Sequence, residues 1–238
     1  MTTHVLGPRT RHHAGVRLDR TSHPLWLAIG FVVAFAVPFL FADVLSVQRD
    51  VFYGLHAIAA LGLILLWARA TGYDLGAATR RRWPWAVGLG GVAAVALALM
   101  VLRTEDATTR PDGVELVAAV LWRGVVYGAT DGLLLSAFPI LVVFAAFAGS
   151  RLDGRLRGKL AIGAVALAAS LAMTAVYHAG YSEFRSGKVT KPLTGDVVWS
   201  VPTLLTLNPV GSPLAHAGMH VSAVLSSYET ETFLPPHE

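Results

Sequence analysis

The chain has 238 residues, of which 54% are hydrophobic and 14% are charged. That balance excludes an ordinary soluble domain and favours a polytopic membrane protein, and the absence of cysteine excludes disulfides, thiolate metal sites and cysteine catalysis. The net charge of +4 comes from arginines in the loops between apolar stretches, so we do not expect nucleic acid as a partner.

Residues 1–23 form a polar, arginine-bearing tail that leads directly into the first apolar stretch. No small-residue cleavage site follows the tail, so we interpret it as a cytoplasmic tail before a signal anchor. Arginines recur in every second connection, at residues 69–82 and 151–159, and the positive-inside rule then predicts a cytoplasmic amino terminus and a chain in the plasma membrane. We expect the histidines near the two ends to be solvated; they are His4, His12, His13, His23 and His237.

Five uncharged stretches have the roughly 20 residues that cross a bilayer as a helix; they are 24–42, 51–68, 83–102, 132–150 and 160–182. With a sixth stretch near the carboxyl end, they predict an all-α, polytopic transmembrane helical bundle of about six to seven membrane segments. The lipid bilayer is therefore an expected partner of the chain. We divide the chain into the tail, amino-terminal transmembrane helices over 24–112, a membrane core over 113–228 and a polar tail over 229–238.

The stretch from 114 to 150 is too long for one span. We predict an amphipathic or partly inserted helix over 114–130, followed by a crossing over 132–150. Gly124, Gly128 and Gly132 recur at every fourth position, a pattern typical of close helix packing in membranes.

Arg123 is a permanent cation in this apolar stretch and needs a carboxylate partner or a route to the surface. Glu115 precedes it by eight residues and Asp131 follows it by eight. Either carboxylate could form a structural ion pair with Arg123, or could supply an oxygen ligand to a metal.

The last apolar stretch, 197–228, contains Pro202, Pro209 and Pro213. Proline removes a backbone donor and disfavours helix at the residue before it, so we predict a break between Leu207 and Pro213.

Three histidines lie in the apolar core region. His216 and His220 are four residues apart, which on a helix places both imidazoles on one face. His178 ends the fifth stretch. Imidazole is a common zinc ligand, so we predict that these histidines bind zinc or another divalent metal. We also predict that His178 and His216 face one another inside the bundle, with Arg123 lining the same cavity from a neighbouring helix. The pair His216 and His220 could instead be hydrogen-bonded core histidines, and His56 has no local support for a role.

These residues resemble the CAAX prenyl protease-like (CPBP) family of polytopic intramembrane metalloproteases. The sequence AAVLWRG, residues 118–124, resembles a first motif in which two adjacent glutamates are followed, after three residues, by Arg-Gly. His178 in TAVYHAG resembles the second motif. His216 in SPLAHAGMH resembles the third, and His220 stands where that family usually has asparagine or a similar polar residue.

The resemblance implies a metal held by His178, His216 and His220, and a membrane-protein or peptide substrate. The chain departs from the family at Ala118 and Ala119, because alanine cannot replace the glutamates that activate water. The remaining catalytic candidates are Arg123, Glu115 and Asp131, and Asp131 reaches the histidines if the chain turns between Gly128 and Gly132.

Three functions remain open. The chain is a CAAX-protease-type metallo-endopeptidase with weak or lost activity, or a noncatalytic scaffold or partner-binding relative on the same fold. The third is a haem-binding bundle. The two axial ligands of a haem approach its opposite faces, and two histidines on one face of one helix cannot take those positions.

Overall fold

The computed structural model describes residues 22–185, 187–230 and 232–235, and all regular structure within them is helical. The helices are α1 (His23–Val44), α2 (Arg49–Thr71), α3 (Leu75–Arg80), α4 (Trp83–Thr104), α5 (Gly113–Phe147), α6 (Leu156–Ala179), α7 (Thr190–Thr206) and α8 (Gly211–Ser226). By length and composition α1, α2, α4, α5 and α6 could each cross a membrane. The predicted all-α polytopic fold is confirmed. Residues 1–21, and with them the tail and its first three histidines, lie outside the described residues, as does His237.

Helix α5 is one continuous element, where the sequence analysis predicted two pieces. Its 35 residues correspond to about 52 Å at about 1.5 Å per residue. Two π-helical segments, Val120–Tyr127 and Leu133–Ala137, widen it without ending it. The chain does not turn between Gly128 and Gly132, because every residue between them is helical.

The glycines of α5 serve close packing, as predicted. A Cβ atom added to Gly128 would lie 2.8 Å from Cα of Ala217, and one added to Gly132 would lie 2.7 Å from Cβ of His216. Real Cβ atoms essentially never approach that closely. The missing side chains therefore let α5 and α8 approach along a shared seam.

The predicted break in the last apolar stretch is confirmed. Helix α7 ends at Thr206, Leu207 has a left-handed φ of 53°, and α8 begins at Gly211. The connection is held by Asn208, whose side-chain amide donates to the carbonyl oxygens of Thr79 and Arg81, each at 2.7 Å.

Large aromatic side chains fill the core between α1, α2, α5 and α6. Its fully buried members include Phe52, Trp67, Tyr127, Phe138 and Tyr177. The outer faces carry exposed apolar side chains, among them Leu25, Val32, Ile58, Val92 and Leu160, a surface that suits lipid rather than water.

His23 is not solvated, and that expectation was wrong. The residue begins α1 and is fully buried, because α1 packs against α2 and brings Trp67 to it. The indole Nε1 of Trp67 donates to Nδ1 of His23 at 3.1 Å.

Candidate metal centre

The seam between α5 and α8 joins one carboxylate to two imidazoles. Asp131 of α5 lies with its Oδ2 atom 3.2 Å from Nε2 of His216 and 3.8 Å from Nε2 of His220. All three side chains are buried, and each can offer a ligand atom within 4.8 Å of the other two. The group could therefore hold a metal ion.

Local structure explains the placement of the three side chains. His216 and His220 are one turn apart on α8, and their rings stack with centroids 4.9 Å apart at 10°. Asp131 lies between the two π-helical segments of α5, in the short stretch Gly128–Gly132. Its flanking glycines bring α8 close enough for both imidazoles to reach the carboxylate. Such π-helical insertions occur frequently at functional sites.

Several polar atoms of the group have no hydrogen-bond partner within the described part of the chain. They are Oδ1 of Asp131, Nδ1 of His216 and both ring nitrogens of His220. Buried polar groups without partners are costly and rare in native proteins, so a group of them calls for a ligand. An ion bound by Oδ2 of Asp131 and the two Nε2 atoms would satisfy one of them, Nε2 of His220.

The donor set also fits a metal. Two imidazole nitrogens and one carboxylate oxygen form a common ligand set of catalytic zinc, which keeps a further position open. With bonds of about 2.0 to 2.1 Å, two ligand atoms of a tetrahedral site lie about 3.3 Å apart. The oxygen–nitrogen distances of 3.2 and 3.8 Å are close to that value.

His56 of α2 lies on the other side of Asp131. Its Nε2 atom is 3.5 Å from Oδ1 of Asp131, and the residue is fully buried. Among the described residues neither ring nitrogen forms a close, well-aligned hydrogen bond. No motif in the sequence around His56 indicates a role, but an ionisable residue inside an apolar span is itself a signal of function.

His178 lines the same cavity as Asp131, His216 and His220, but it does not belong to the group of mutually close ligand atoms. Its Nδ1 atom lies 2.8 Å from the carbonyl oxygen of Thr174. A carbonyl oxygen only accepts, so Nδ1 carries the hydrogen and Nε2 keeps its lone pair.

Arg123 and Glu115 lie at a different cavity of about 410 Å³, together with Ala118 and Ala119. The guanidinium of Arg123 donates to both carboxylate oxygens of Asp50, at 2.8 and 2.7 Å. The structure therefore does not bring Arg123 to the cavity of the histidines, because the guanidinium is held by Asp50 at the first turn of α2. Asp50 is a partner that the sequence analysis did not consider.

The cavity of the histidines is small and covered. Its volume of about 20 Å³ is enough for about one water molecule or ion, and far too small for a peptide. The carboxyl-terminal residues Thr232, Phe233 and Pro235 are among the residues that line it. This segment is anchored through Thr230, whose hydroxyl donates to Glu105 at 2.8 Å.

Asp196 of α7 is a second buried carboxylate, and the sequence analysis missed it as well. It accepts hydrogen bonds from the hydroxyls of Ser170, Thr174 and Ser200, at distances between 2.7 and 3.2 Å. Its oxygens are thus occupied by donors from α6 and α7. We interpret Asp196 as a link between these helices rather than as a metal ligand.

None of the family models, curated proteins or solved structures compared with this chain matches it. The likeness to the CAAX prenyl protease-like family therefore rests on the short motifs around Arg123, His178 and His216. Asp131 and His56 lie outside those motifs.

Proposed function

We propose that this chain is an intramembrane metal-dependent hydrolase in which Asp131, His216 and His220 hold zinc or another divalent ion. The observation that supports it best is the buried group of one carboxylate and two imidazoles, whose ligand atoms all lie within 4.8 Å of one another. The motif likeness at His178 and His216 supports the hydrolase class.

An ion held by this group would act as a Lewis acid toward a carbonyl group or a water molecule. His178 is the general base. Its Nε2 lone pair accepts a proton from water as the water oxygen attacks the substrate carbonyl carbon. The same nitrogen returns that proton to the leaving amine as the carbon–nitrogen bond breaks. The hydrogen bond from Nδ1 to Thr174 holds the ring in the tautomer that this role requires.

The substrate is a membrane protein or a peptide, as the family likeness implies. A cavity of about 20 Å³ does not admit a peptide, so residues that line it have to move before a substrate can enter. In this proposal Asp131 supplies the carboxylate that Ala118 and Ala119 do not. Glu115 and Arg123 take no part in the chemistry.

A noncatalytic relative on the same fold is the alternative. The observation that favours it is that Ala118 and Ala119, where the family has its glutamates, line a cavity without the histidines. Such a protein would keep the metal and not cleave.

The test is metal analysis of the purified protein together with cleavage of membrane-peptide substrates in detergent. We expect the wild type to contain about one zinc ion per chain and to lose it in a double variant, His216→Ala with His220→Ala. His178→Gln should keep the metal and lose cleavage, which separates the base from the ligands.

A wild type without bound metal would end the proposal. Bound metal without cleavage of any substrate would favour the noncatalytic relative. Cleavage by His178→Gln at the wild-type rate would remove His178 from the chemistry.

A further inference from the structure

The two carboxylate oxygens of Asp131 face different partners. Oδ2 faces Nε2 of His216 and of His220 on α8, whereas Oδ1 faces Nε2 of His56 on α2. The group of mutually close ligand atoms includes the first two histidines and not the third. His56 therefore does not share an ion with them in this geometry and contacts the other oxygen of the carboxylate.

We propose that His56 is a positioning residue for the metal ligand Asp131. Its Nε2–H group donates to Oδ1, so that Asp131 binds the ion through Oδ2 alone. A carboxylate that can bind through one oxygen or two is thereby restricted to one, and one coordination position stays open for water or substrate. This inference rests on the proposed metal centre.

The surroundings of His56 support such a role. The ring is fully buried and packs among Phe52, Tyr127 and Tyr177, with ring centroids 6.2, 5.2 and 5.4 Å away. Three aromatic neighbours restrict the rotation of the imidazole. A buried imidazole without a partner is costly, and the polar groups that face this ring are the carboxylate of Asp131, at 3.5 Å, and the backbone of Thr130.

The distance of 3.5 Å is longer than a good hydrogen bond. Coordination of Oδ2 would favour one orientation of the Asp131 carboxylate, so we expect the contact with His56 to tighten when the metal binds. Hydrogen bonds to ligating groups are a regular feature of metal sites.

The experiment compares His56→Phe and His56→Gln in the full chain. Phenylalanine fills the volume without a donor, whereas the amide of glutamine places an N–H group near the former Nε2 position. Zinc affinity is measured by competition with a chelator. We expect His56→Phe to bind zinc about 10- to 100-fold more weakly, and His56→Gln to stay near the wild type.

Cobalt(II) provides the readout that a merely structural role would not change. Its visible absorption is strong in four-coordinate sites and weaker in five-coordinate ones. We expect His56→Phe to lose intensity as Asp131 takes up two-oxygen binding, and His56→Gln to retain it. Tyr53→Phe is the matched control, because it removes a buried hydroxyl one turn away on the same helix.

If His56→Phe does not fold, His56→Asn takes its place, since its amide nitrogen corresponds to Nδ1 and does not reach Asp131. The inference would be overturned, and the metal centre left intact, if the zinc affinity and cobalt spectrum of His56→Phe equalled those of the wild type. The same holds for His56→Asn where it replaces His56→Phe. A wild type that binds neither zinc nor cobalt would overturn the metal centre itself, and the inference with it.

Discussion

Asp131 and Asp196 are both buried in the bundle, and their neighbours distinguish them. Three hydroxyls donate to Asp196, and every donor is itself a short side chain of α6 or α7. Asp131 faces imidazoles, and its Oδ1 atom accepts no close hydrogen bond among the described residues, with Nε2 of His56 at 3.5 Å. Hydrogen-bond satisfaction, rather than burial or sequence position, therefore separates the candidate metal ligand from the structural carboxylate.

Arg123 provides a test at the same scale. We predict that Arg123→Met lowers the free energy of unfolding by about 1–2 kcal/mol, because it breaks a bidentate, partly buried pair with Asp50. Thermal unfolding of the two proteins in detergent measures the loss of stability. Zinc affinity should not change, since Arg123 lies at a different cavity from the histidines.

The matched control is Arg185→Met. Arg185 also pairs with an aspartate, Asp43, but its side chain is 44% exposed, against 13% for Arg123. We expect a smaller effect there, because solvent screens exposed pairs. A loss of hydrolysis in Arg123→Met at unchanged stability and metal content would restore the catalytic role that the family likeness implies.

At the scale of the helices, the seam between α5 and α8 decides the geometry of the candidate centre. Every fourth residue of α5 along this seam is glycine, and the residues that it meets on α8 are Val221, Ala217 and His216. The candidate ligands lie on both helices, Asp131 on α5 and the two histidines on α8. Any change that separates the helices therefore also separates Asp131 from the histidines.

Gly132→Ala tests this dependence. Its new Cβ would lie 2.7 Å from Cβ of His216 and 3.0 Å from Cα of Pro213, so backbone has to move. We predict a destabilisation of about 1–3 kcal/mol and weaker zinc binding. Unfolding and chelator competition measure the two effects.

The control for Gly132→Ala is Gly163→Ala on α6, where a Cβ meets nothing within 4 Å. Alanine favours helix over glycine by up to about 1 kcal/mol, so this variant should be neutral or slightly stabilised and should bind zinc normally. Equal zinc affinity in Gly132→Ala and Gly163→Ala would show that the seam does not set the ligand geometry.

At the scale of the whole molecule, the orientation in the membrane stays a prediction from arginine distribution. Because the chain contains no cysteine, a single introduced cysteine can report on which side of the membrane its position lies. We predict that a membrane-impermeant maleimide labels Ala107→Cys on intact cells and labels Ala77→Cys only after lysis. Both alanines are exposed, one after α4 and one on α3. The reverse pattern would place the amino terminus outside.

Local patterns in the sequence determined the helical class, the approximate spans, the proline-induced break before α8 and the pairing of His216 with His220 on one face. Each depends on residues within a few positions of one another, since span length, proline sterics and helical periodicity are local properties.

Only the tertiary structure decided which residues meet. Arg123 lies eight residues from both Glu115 and Asp131, yet it pairs with Asp50 on another helix. Asp131 joins the histidines of α8 without any turn in α5, and His56 reaches it from α2. These contacts depend on how each helix is rotated and how closely it packs. Such properties arise from many long-range contacts together, and no short stretch of the sequence encodes them.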